Sequence, residues 1–209
     1  MKKANYPNKI FCLLLSLVIA TAVFNSCRST STLTKDAGVV INGVKWATRN
    51  VDKPGTFAAK PQDAGKFYQW NRKTAWSAEG ENVENWDRTI PEGTEWETAN
   101  DPSPAGWRVP TKEELLTLLD TEKVTNEWTT QNGVSGRKFT DKITNNSLFL
   151  PAAGFRDVSN GTLLSADGYY WSSTQYYSYY AYGLYSGSGS AGWYGKSRRY
   201  GFSIRAVAK

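Results

Sequence analysis

The chain has 209 residues, of which 40% are hydrophobic and 21% charged, and its formal net charge is +6. It contains no histidine, which excludes the commonest general base, the usual serine and cysteine triads and most zinc sites. Catalysis would depend on carboxylates, lysine or tyrosine, so the composition favours a binding protein over an enzyme, and no cofactor or metal site is expected.

The N-terminal segment predicts export and lipid attachment. A lysine-containing start precedes an apolar run over 10–20, which is too short and wrongly flanked for a membrane-spanning helix. The stretch 23–27 (VFNSC) resembles a bacterial lipobox, with a Phe where Leu is usual. We therefore predict a lipoprotein signal peptide over 1–26, lipidation of Cys27 and a flexible tether over 27–37. Plain secretion with a free Cys27 is the alternative.

The residues after the signal predict one packed domain over 38–209. Three basic residues and no acidic ones leave with the signal, so 22 basic residues stand against 19 acidic ones, a net charge of +3. This weak positive charge does not predict nucleic acid as a partner. Cys12 leaves with the signal and Cys27 carries the lipid, so no disulfide is expected and packing must stabilise the domain.

The domain is predicted to begin with a β-hairpin that turns at Asn42-Gly43, the strongest short hairpin signal. A second short strand is expected over 65–71. Residues 71–101 hold three tryptophans and an acidic bias but follow neither the helix nor the strand period. The tryptophans indicate a loop pinned to the core. Its carboxylates could bind calcium, but no tight D-x-D-type spacing occurs, so a solvated acidic surface is the preferred interpretation.

One helix is predicted over about 112–121. Thr111 and Glu114 form a T-x-x-E capping box, and the leucines that follow bury one face. Another hairpin is expected near 133–139, and a buried strand follows over 147–156. A single helix among many short strands, with long loops between them, indicates an α+β fold with antiparallel pairing.

The C-terminal stretch 168–209 carries the main functional signal. Ten of the 12 tyrosines lie there, interleaved with serine and glycine and followed by a basic cluster, a mixture typical of binding surfaces. A regular strand over 176–185 would point alternate side chains to opposite faces, so some tyrosines must be core. A tyrosine-rich sheet edge or a low-complexity tail is the alternative. The candidate ligand-binding residues are Tyr176, Tyr177, Tyr179, Tyr180, Tyr182, Tyr185, Ser186, Ser188, Tyr194, Lys196, Arg198 and Arg199. The predicted framework residues are Trp107, Trp171, Leu184, Phe202 and Arg205.

Four motifs occur in order: GWRVPT at 106–111, LFLPAAG at 148–154, YWSST at 170–174 and GFSIRAV at 201–207. Together they resemble the Fibrobacter succinogenes major paralogous domain family over about 40–209. The resemblance implies a C-type lectin-like fold on a surface lipoprotein. The C-terminal stretch also resembles variable proteins of diversity-generating retroelements, which scatter Tyr, Ser, Gly, Asn and Arg over surface positions. The calcium-dependent sugar-binding motifs of lectins are missing, so this likeness does not imply sugar binding.

The sequence therefore predicts an exported protein, lipid-anchored to the outer membrane of the cell envelope, that presents its C-terminal surface to a protein or glycan ligand. The domain is expected to be monomeric and to reach the membrane only through its N-terminal lipid. A structural subunit of a surface or fimbria-like assembly is the first alternative. A glycan-active enzyme using Glu95, Glu97 and Asp101 is less favoured, because the same carboxylates fit a solvated loop.

Overall fold

The structure is a computed structural model that describes Met1, residues 35–164 and residues 167–209. Residues 35–209 form one compact unit. The predicted signal peptide over 1–26, apart from Met1, the lipid attachment at Cys27 and most of the predicted tether lie outside the described residues and stay predictions. Within the described residues, no helix is long and apolar enough to cross a membrane.

The described chain contains twelve strands, one α-helix and one short 3-10 helix. In chain order, the strands are β1 (Val39–Ile41), β2 (Val44–Trp46), β3 (Trp107–Arg108), β4 (Val124–Gln131), β5 (Val134–Asp141), β6 (Ser147–Pro151), β7 (Phe155–Arg156), β8 (Leu163–Leu164), β9 (Gly168–Tyr177), β10 (Tyr180–Ser186), β11 (Ala191–Ser197) and β12 (Val207–Ala208). The helices are the 3-10 helix Thr98–Asn100 and α1 (Lys112–Thr117).

The predicted α+β class is wrong, and with it the C-type lectin-like arrangement. The described part of the chain is mostly β, with 40% of its residues in strands and bridges and 5% in helices. The capping box is confirmed, since Glu114 N–H donates to Thr111 Oγ1 and Thr111 N–H donates to the Glu114 carboxylate. However, α1 ends at Thr117 instead of about 121, because the Asp120 carbonyl accepts from two amides of a turn that leads into β4.

The strands form four small sheets with antiparallel pairing between named strands. The first has the order β1-β2-β12-β3, so the C-terminal strand joins the N-terminal hairpin to β3. The second is the meander β4-β5-β6, the third has the order β11-β10-β9, and β7 pairs with β8. The predicted hairpin at Asn42-Gly43 is confirmed, and both turn residues have positive φ (47° and 80°), as a tight primed turn requires.

The third sheet lies between the two clusters that make up the core. Trp171 and Ala181 belong to the first core cluster, together with Trp70 and Phe202. Leu184, on the opposite side of β10 from Ala181, belongs to the second core cluster, which also contains Tyr170 and the helix residue Leu115. The centres of β9 and β10 are therefore buried on both faces, whereas the edge strand β11 and the turns reach solvent.

Four arginines are buried in the core and hold neighbouring segments through polar contacts with neutral oxygens. The clearest is Arg156, which is fully buried. Its guanidinium donates to the carbonyls of Ser77 (2.9 Å), Glu79 (2.7 Å), Glu81 (2.8 Å) and Gly161 (3.0 Å). Burial lowers the pKa of Arg156 from its ordinary value. The other three are Arg137, Arg198 and Arg205.

Asp141, at the end of β5, connects two turns. One carboxylate oxygen accepts from the amides of Thr144 (2.8 Å) and Ile143 (2.9 Å), and the other accepts from the Asn42 amide (2.7 Å). These hydrogen bonds, led by the one from Thr144, lower the pKa of Asp141 from 3.8 to about 2. The carboxylate thus ties the N-terminal hairpin to the β5–β6 turn.

The lowered pKa predicts how the stability contribution of Asp141 changes with pH. Because the folded pKa lies below the unfolded one, the ionised carboxylate stabilises the fold above about pH 4, and that contribution is lost as the pH falls towards about 2. We expect Asp141→Asn to lower the thermal unfolding midpoint at neutral pH, with the difference from wild type shrinking over this acid range. A difference that stayed constant down to about pH 2 would contradict this assignment.

Candidate binding surface

The predicted C-terminal segment forms the sheet β9–β10–β11, in which both hairpins are tight. Arg198 N–H donates to the Tyr179 carbonyl (3.0 Å) beyond one end of the β10–β11 ladder, and Gly187 N–H donates to the Ser190 carbonyl (2.9 Å) at the other. Between them, seven consecutive residue pairs run from Tyr180–Ser197 to Ser186–Ala191 without a break. β10 and β11 therefore form a regular hairpin, whereas the β9–β10 pairing is irregular, with register shifts between Tyr180 and Gly183.

Five of the predicted ligand-binding side chains are exposed, and four of them lie in a turn or at the strand end next to one. Tyr177, Tyr179 and Tyr180 flank the β9–β10 turn with exposed fractions of 64%, 60% and 44%. Ser188 is exposed in the β10–β11 turn, and Lys196 is exposed on β11. These positions can meet a ligand without rearrangement of the fold.

Two predicted ligand-binding residues are buried, and one of them holds neighbouring segments together. Ser186 is fully buried and Arg198 is 2% exposed. The Arg198 guanidinium donates to the carbonyls of Pro91 (3.1 Å) and Gly93 (2.8 Å) and lies 4.2 Å over the Trp70 ring. Arg198 therefore anchors residues 71–101, which we call the acidic loop, and its charge does not face a ligand at the surface.

Three more predicted residues are half-buried outside the main aromatic contact. The Tyr194 ring packs 5.9 Å from the rings of both Tyr169 and Phe202 in the core. Its hydroxyl is buried without a hydrogen-bond partner in the described part of the chain, and burial raises its pKa well above the ordinary value. Tyr185 packs against Tyr169 at 5.5 Å, and Arg199 is half-buried after β11.

The five predicted framework residues are all buried: Trp107, Trp171, Leu184, Phe202 and Arg205. Two of them use their polar atoms inside the core. Trp171 donates from its indole nitrogen to the Tyr68 carbonyl at 2.8 Å. Arg205 donates to Asn50 Oδ1 at 2.9 Å, and burial lowers its pKa to about 10. These contacts fix the base of the sheet.

Four aromatic side chains meet on a part of the sheet that the core does not cover. We call them the aromatic patch: Tyr176, Tyr177, Tyr182 and Trp193. The Tyr176 ring lies 4.3 Å from Tyr177, 4.7 Å from Tyr182 and 6.4 Å from Trp193, and Tyr182 and Trp193 are 5.5 Å apart. Trp193 is 51% exposed. Such rings combine a large apolar area with polar edges.

Lys112, the first residue of α1, places a cation against the aromatic patch. Its Nζ lies 4.2 Å from the Tyr182 ring centre and 5.6 Å from that of Trp193. The helix start is held there because the Lys112 amide donates to Thr174 Oγ1 on β9 at 3.0 Å. The ammonium group is attracted by the electron-rich ring faces, and it gives the patch a positive charge.

Trp193 and Lys112 were not among the sequence-predicted site residues. The β10–β11 register pairs Trp193 with Leu184 and Gly195 with Tyr182, so counting outward from the SGSGS turn could have placed Trp193 beside Tyr182. No local sequence pattern connects Lys112 with the patch, because Lys112 lies on α1, far from the patch residues in the sequence. Only the packing of α1 against the sheet brings it to the rings.

Gly195 gives the Tyr176 ring its place in the patch. A Cβ on Gly195 would lie 2.3 Å from the nearest Tyr176 ring carbon, whereas a Cβ on Gly192 of the same strand would meet nothing within 4 Å. Neither glycine has a positive φ. Gly195 therefore matters because the ring crosses the bare backbone at that point.

Gly195→Ala is expected to displace the Tyr176 ring and to lower the free energy of unfolding by about 1–3 kcal/mol, as overpacking does. Gly192→Ala is the matched control and should stay within about 0.5 kcal/mol of wild type. Denaturant unfolding measures both, and a crystal structure of the first variant locates the ring. Equal stability of the two variants, with Tyr176 unmoved, would contradict close packing of the Tyr176 ring on Gly195.

The acidic loop lines a separate open polar cleft of about 780 Å³. Arg72 pairs there with Asp87, and Asn71 accepts from the Glu97 amide at 2.8 Å. Asp101, near the loop's end, accepts from the Val109 amide at 3.1 Å. Within the described residues, no group of three or more histidine, cysteine, aspartate or glutamate side chains could hold a metal ion.

Comparison with protein families gives one match. The model of the Lcl C-terminal domain matches residues 61–208, a stretch that includes α1, the acidic loop and the whole of β9–β11. No curated protein and no solved structure matches the chain. The match indicates a surface or extracellular protein of the binding type. The matched segment covers well over half of the chain, which therefore belongs to the Lcl C-terminal domain family.

Proposed function

We propose that this protein is an exported, lipid-anchored binding protein whose aromatic patch contacts a protein or glycan ligand. The observation that carries the proposal is the meeting of Tyr176, Tyr177, Tyr182 and Trp193 on one side of a sheet whose centre is buried on both faces. Tyrosine and tryptophan are the residues that most often dominate binding energy at interfaces.

The rigid base of the patch supports this function. Trp171 and Leu184, which lie on the two sides of the sheet, are fully buried. A surface held in one conformation before binding loses little conformational entropy when the ligand arrives, so more of the contact energy appears as affinity. Lys112 adds a charge that a polar or anionic ligand group can reach.

We also propose the finer assignments made from the sequence. Cys27 carries the lipid, residues 27–37 hold the domain away from the outer membrane, and the protein binds without turnover or cofactor. Membership of the Fibrobacter succinogenes major paralogous domain group, with a retroelement that varies the exposed tyrosines and serines, is part of the same proposal. A reverse-transcriptase gene beside a template repeat that differs at adenines would support the retroelement link.

Glycan and peptide arrays probed with the purified protein test the binding function. We expect wild type to bind a subset of one array at micromolar concentration and the Trp193→Ser variant to lose those signals. Tyr179→Ser, which changes an exposed turn tyrosine outside the patch, is the control and should keep them. Silence of wild type on both arrays, or equal signals from wild type and Trp193→Ser, would count against a ligand site at the patch.

A further inference from the structure

The outer edge of β11 lies beside the aromatic patch and carries no strand partner. In the sheet order β11-β10-β9, β11 pairs with β10 alone among the described residues. The opposite edge is covered, since β9 is bridged to other segments through Thr174 with Glu95 and Tyr170 with Ser203. An unpaired edge offers a row of N–H and C=O groups to another chain.

The hydrogen bonds at the two ends of the ladder identify which groups of β11 point outward. Gly187 bonds to Ser190 at one end and Arg198 bonds to Tyr179 at the other. Bonded and non-bonded pairs alternate in an antiparallel ladder, so the bonded β11 residues between these ends are Gly192, Tyr194 and Lys196. The outward-pointing amides and carbonyls are then those of the alternate residues Ala191, Trp193, Gly195 and Ser197, of which the Ser197 carbonyl already accepts from the Tyr200 amide (3.1 Å).

These outward-pointing residues direct their side chains to the face that bears the aromatic patch. Trp193 is part of the patch, and Gly195 lies under the Tyr176 ring. A strand added along this edge would therefore place every second side chain next to Trp193 and the neighbouring rings. Main-chain pairing and side-chain contact would be available to the same ligand.

The charges beside this edge favour an acidic occupant. Lys112 lies over the Tyr182 and Trp193 rings on one face, and Lys196 lies 5.9 Å from the Tyr194 ring on the other. Neither lysine forms an ion pair with a described residue. A second copy of this chain on the same edge would bring another such pair of lysines to these two, whereas carboxylates would neutralise them.

We propose that the free edge of β11 binds an extended acidic peptide segment of a partner protein as a fourth strand, with alternate side chains of the peptide packed against the aromatic patch. This inference rests on the proposed function and names its ligand class and binding mode. Strand addition of this kind supplies affinity through main-chain hydrogen bonds and specificity through alternate side chains. A glycan has no such repeating row of backbone donors and acceptors.

Two sets of synthetic heptapeptides serve as probes, with apolar residues alternating with Glu in the first set and with Lys in the second. We expect the Glu set to bind the purified protein at least about tenfold more tightly, with affinity that falls as salt is added. Lys112→Gln and Lys196→Gln, which leave the ladder intact, should each weaken binding about two- to fivefold. A Glu peptide N-methylated on the edge that would face β11 should not bind.

Amide hydrogen exchange then locates the peptide on the strand. On saturation with the best Glu peptide, the outward amides of Trp193, Gly195 and Ser197 should exchange about tenfold or more slowly. The inward amides of Gly192 and Tyr194 are already bonded to β10 and should change little. This difference within one strand separates strand pairing from a contact made by side chains alone.

Each other outcome overturns the inference in a distinguishable way. If a peptide binds but leaves the outward amides unprotected, or if only glycans bind, strand addition at β11 is refuted. The proposed binding function of the aromatic patch is then unaffected. If these amides are protected in the free protein and sedimentation shows a dimer, the edge of β11 pairs with a second copy of the chain and not with an acidic peptide. If the protein binds neither peptide set and nothing on the glycan array, both strand addition and the proposed function are refuted.

Discussion

Arg156→Met is expected to lower the free energy of unfolding by about 3–5 kcal/mol. Arg156 is fully buried, and its guanidinium donates to four carbonyls that belong to the loop 77–81 and to Gly161. Methionine fills much of the same volume but donates nothing, so the carbonyls would stay buried without their donors. Each such group costs about 1–3 kcal/mol when its partner is removed, and local rearrangement recovers part of the sum.

Denaturant unfolding of Arg156→Met beside Arg88→Met measures this effect. Arg88 is exposed, and its replacement should change stability by no more than about 0.5 kcal/mol. Amide exchange in the loop 77–81 should also rise in the Arg156 variant, because the loop loses its anchor. If the two variants were equally stable, the carbonyl contacts of Arg156 would contribute nothing measurable to the stability of the core.

Trp193→Ser is expected to weaken binding of any ligand found on the arrays by about 2–4 kcal/mol, which is roughly 30- to 1000-fold in Kd. Trp193 is the exposed tryptophan of the patch and lies within ring contact of both Tyr176 and Tyr182. Its loss removes the largest apolar surface that a ligand can cover and leaves Lys112 with one ring in place of two.

Titration of wild type, Trp193→Ser and Tyr179→Ser with the same array ligand measures the loss. Tyr179→Ser should stay within about threefold of wild type, because a tyrosine outside the contact contributes little. The unfolding free energy of Trp193→Ser should fall by no more than about 1–2 kcal/mol, since half of this side chain is already in solvent. A ligand bound equally by all three proteins would place the site elsewhere, for example in the polar cleft of the acidic loop.

Local signals in the sequence predicted local structure well. The capping box at Thr111 and the turn at Asn42-Gly43 are both present, because the interactions involved connect residues two to four positions apart. The end of α1 was not predicted, since a turn closed by the Asp120 carbonyl competes with the helix and leads directly into β4. A run of leucines gives no information about such competition. The fold class followed that misjudged helix and was wrong.

The aromatic patch was only partly visible in the sequence. A regular strand over 176–185 was considered, but the chain turns between β9 and β10, and Tyr176 and Tyr182 meet from these two strands at 4.7 Å. Arg198 was expected to face a ligand, but its partners, the carbonyls of Pro91 and Gly93, lie about a hundred residues away. Composition identifies a basic residue near tyrosines, but it does not reveal that a distant loop supplies neutral acceptors for it.

The buried arginines have a consequence for how the loops that they hold can evolve. Arg156 and Arg198 grip the loops 77–81 and 91–93 through main-chain carbonyls, and Arg137 holds the 187–188 turn in the same way. A carbonyl is present whatever the side chain, so substitutions at other positions of these segments keep the acceptors, whereas Gly93 (φ 92°) and Gly187 have no room for a side chain. Most side chains of these loops can therefore change without loss of the contacts that hold the loops in place.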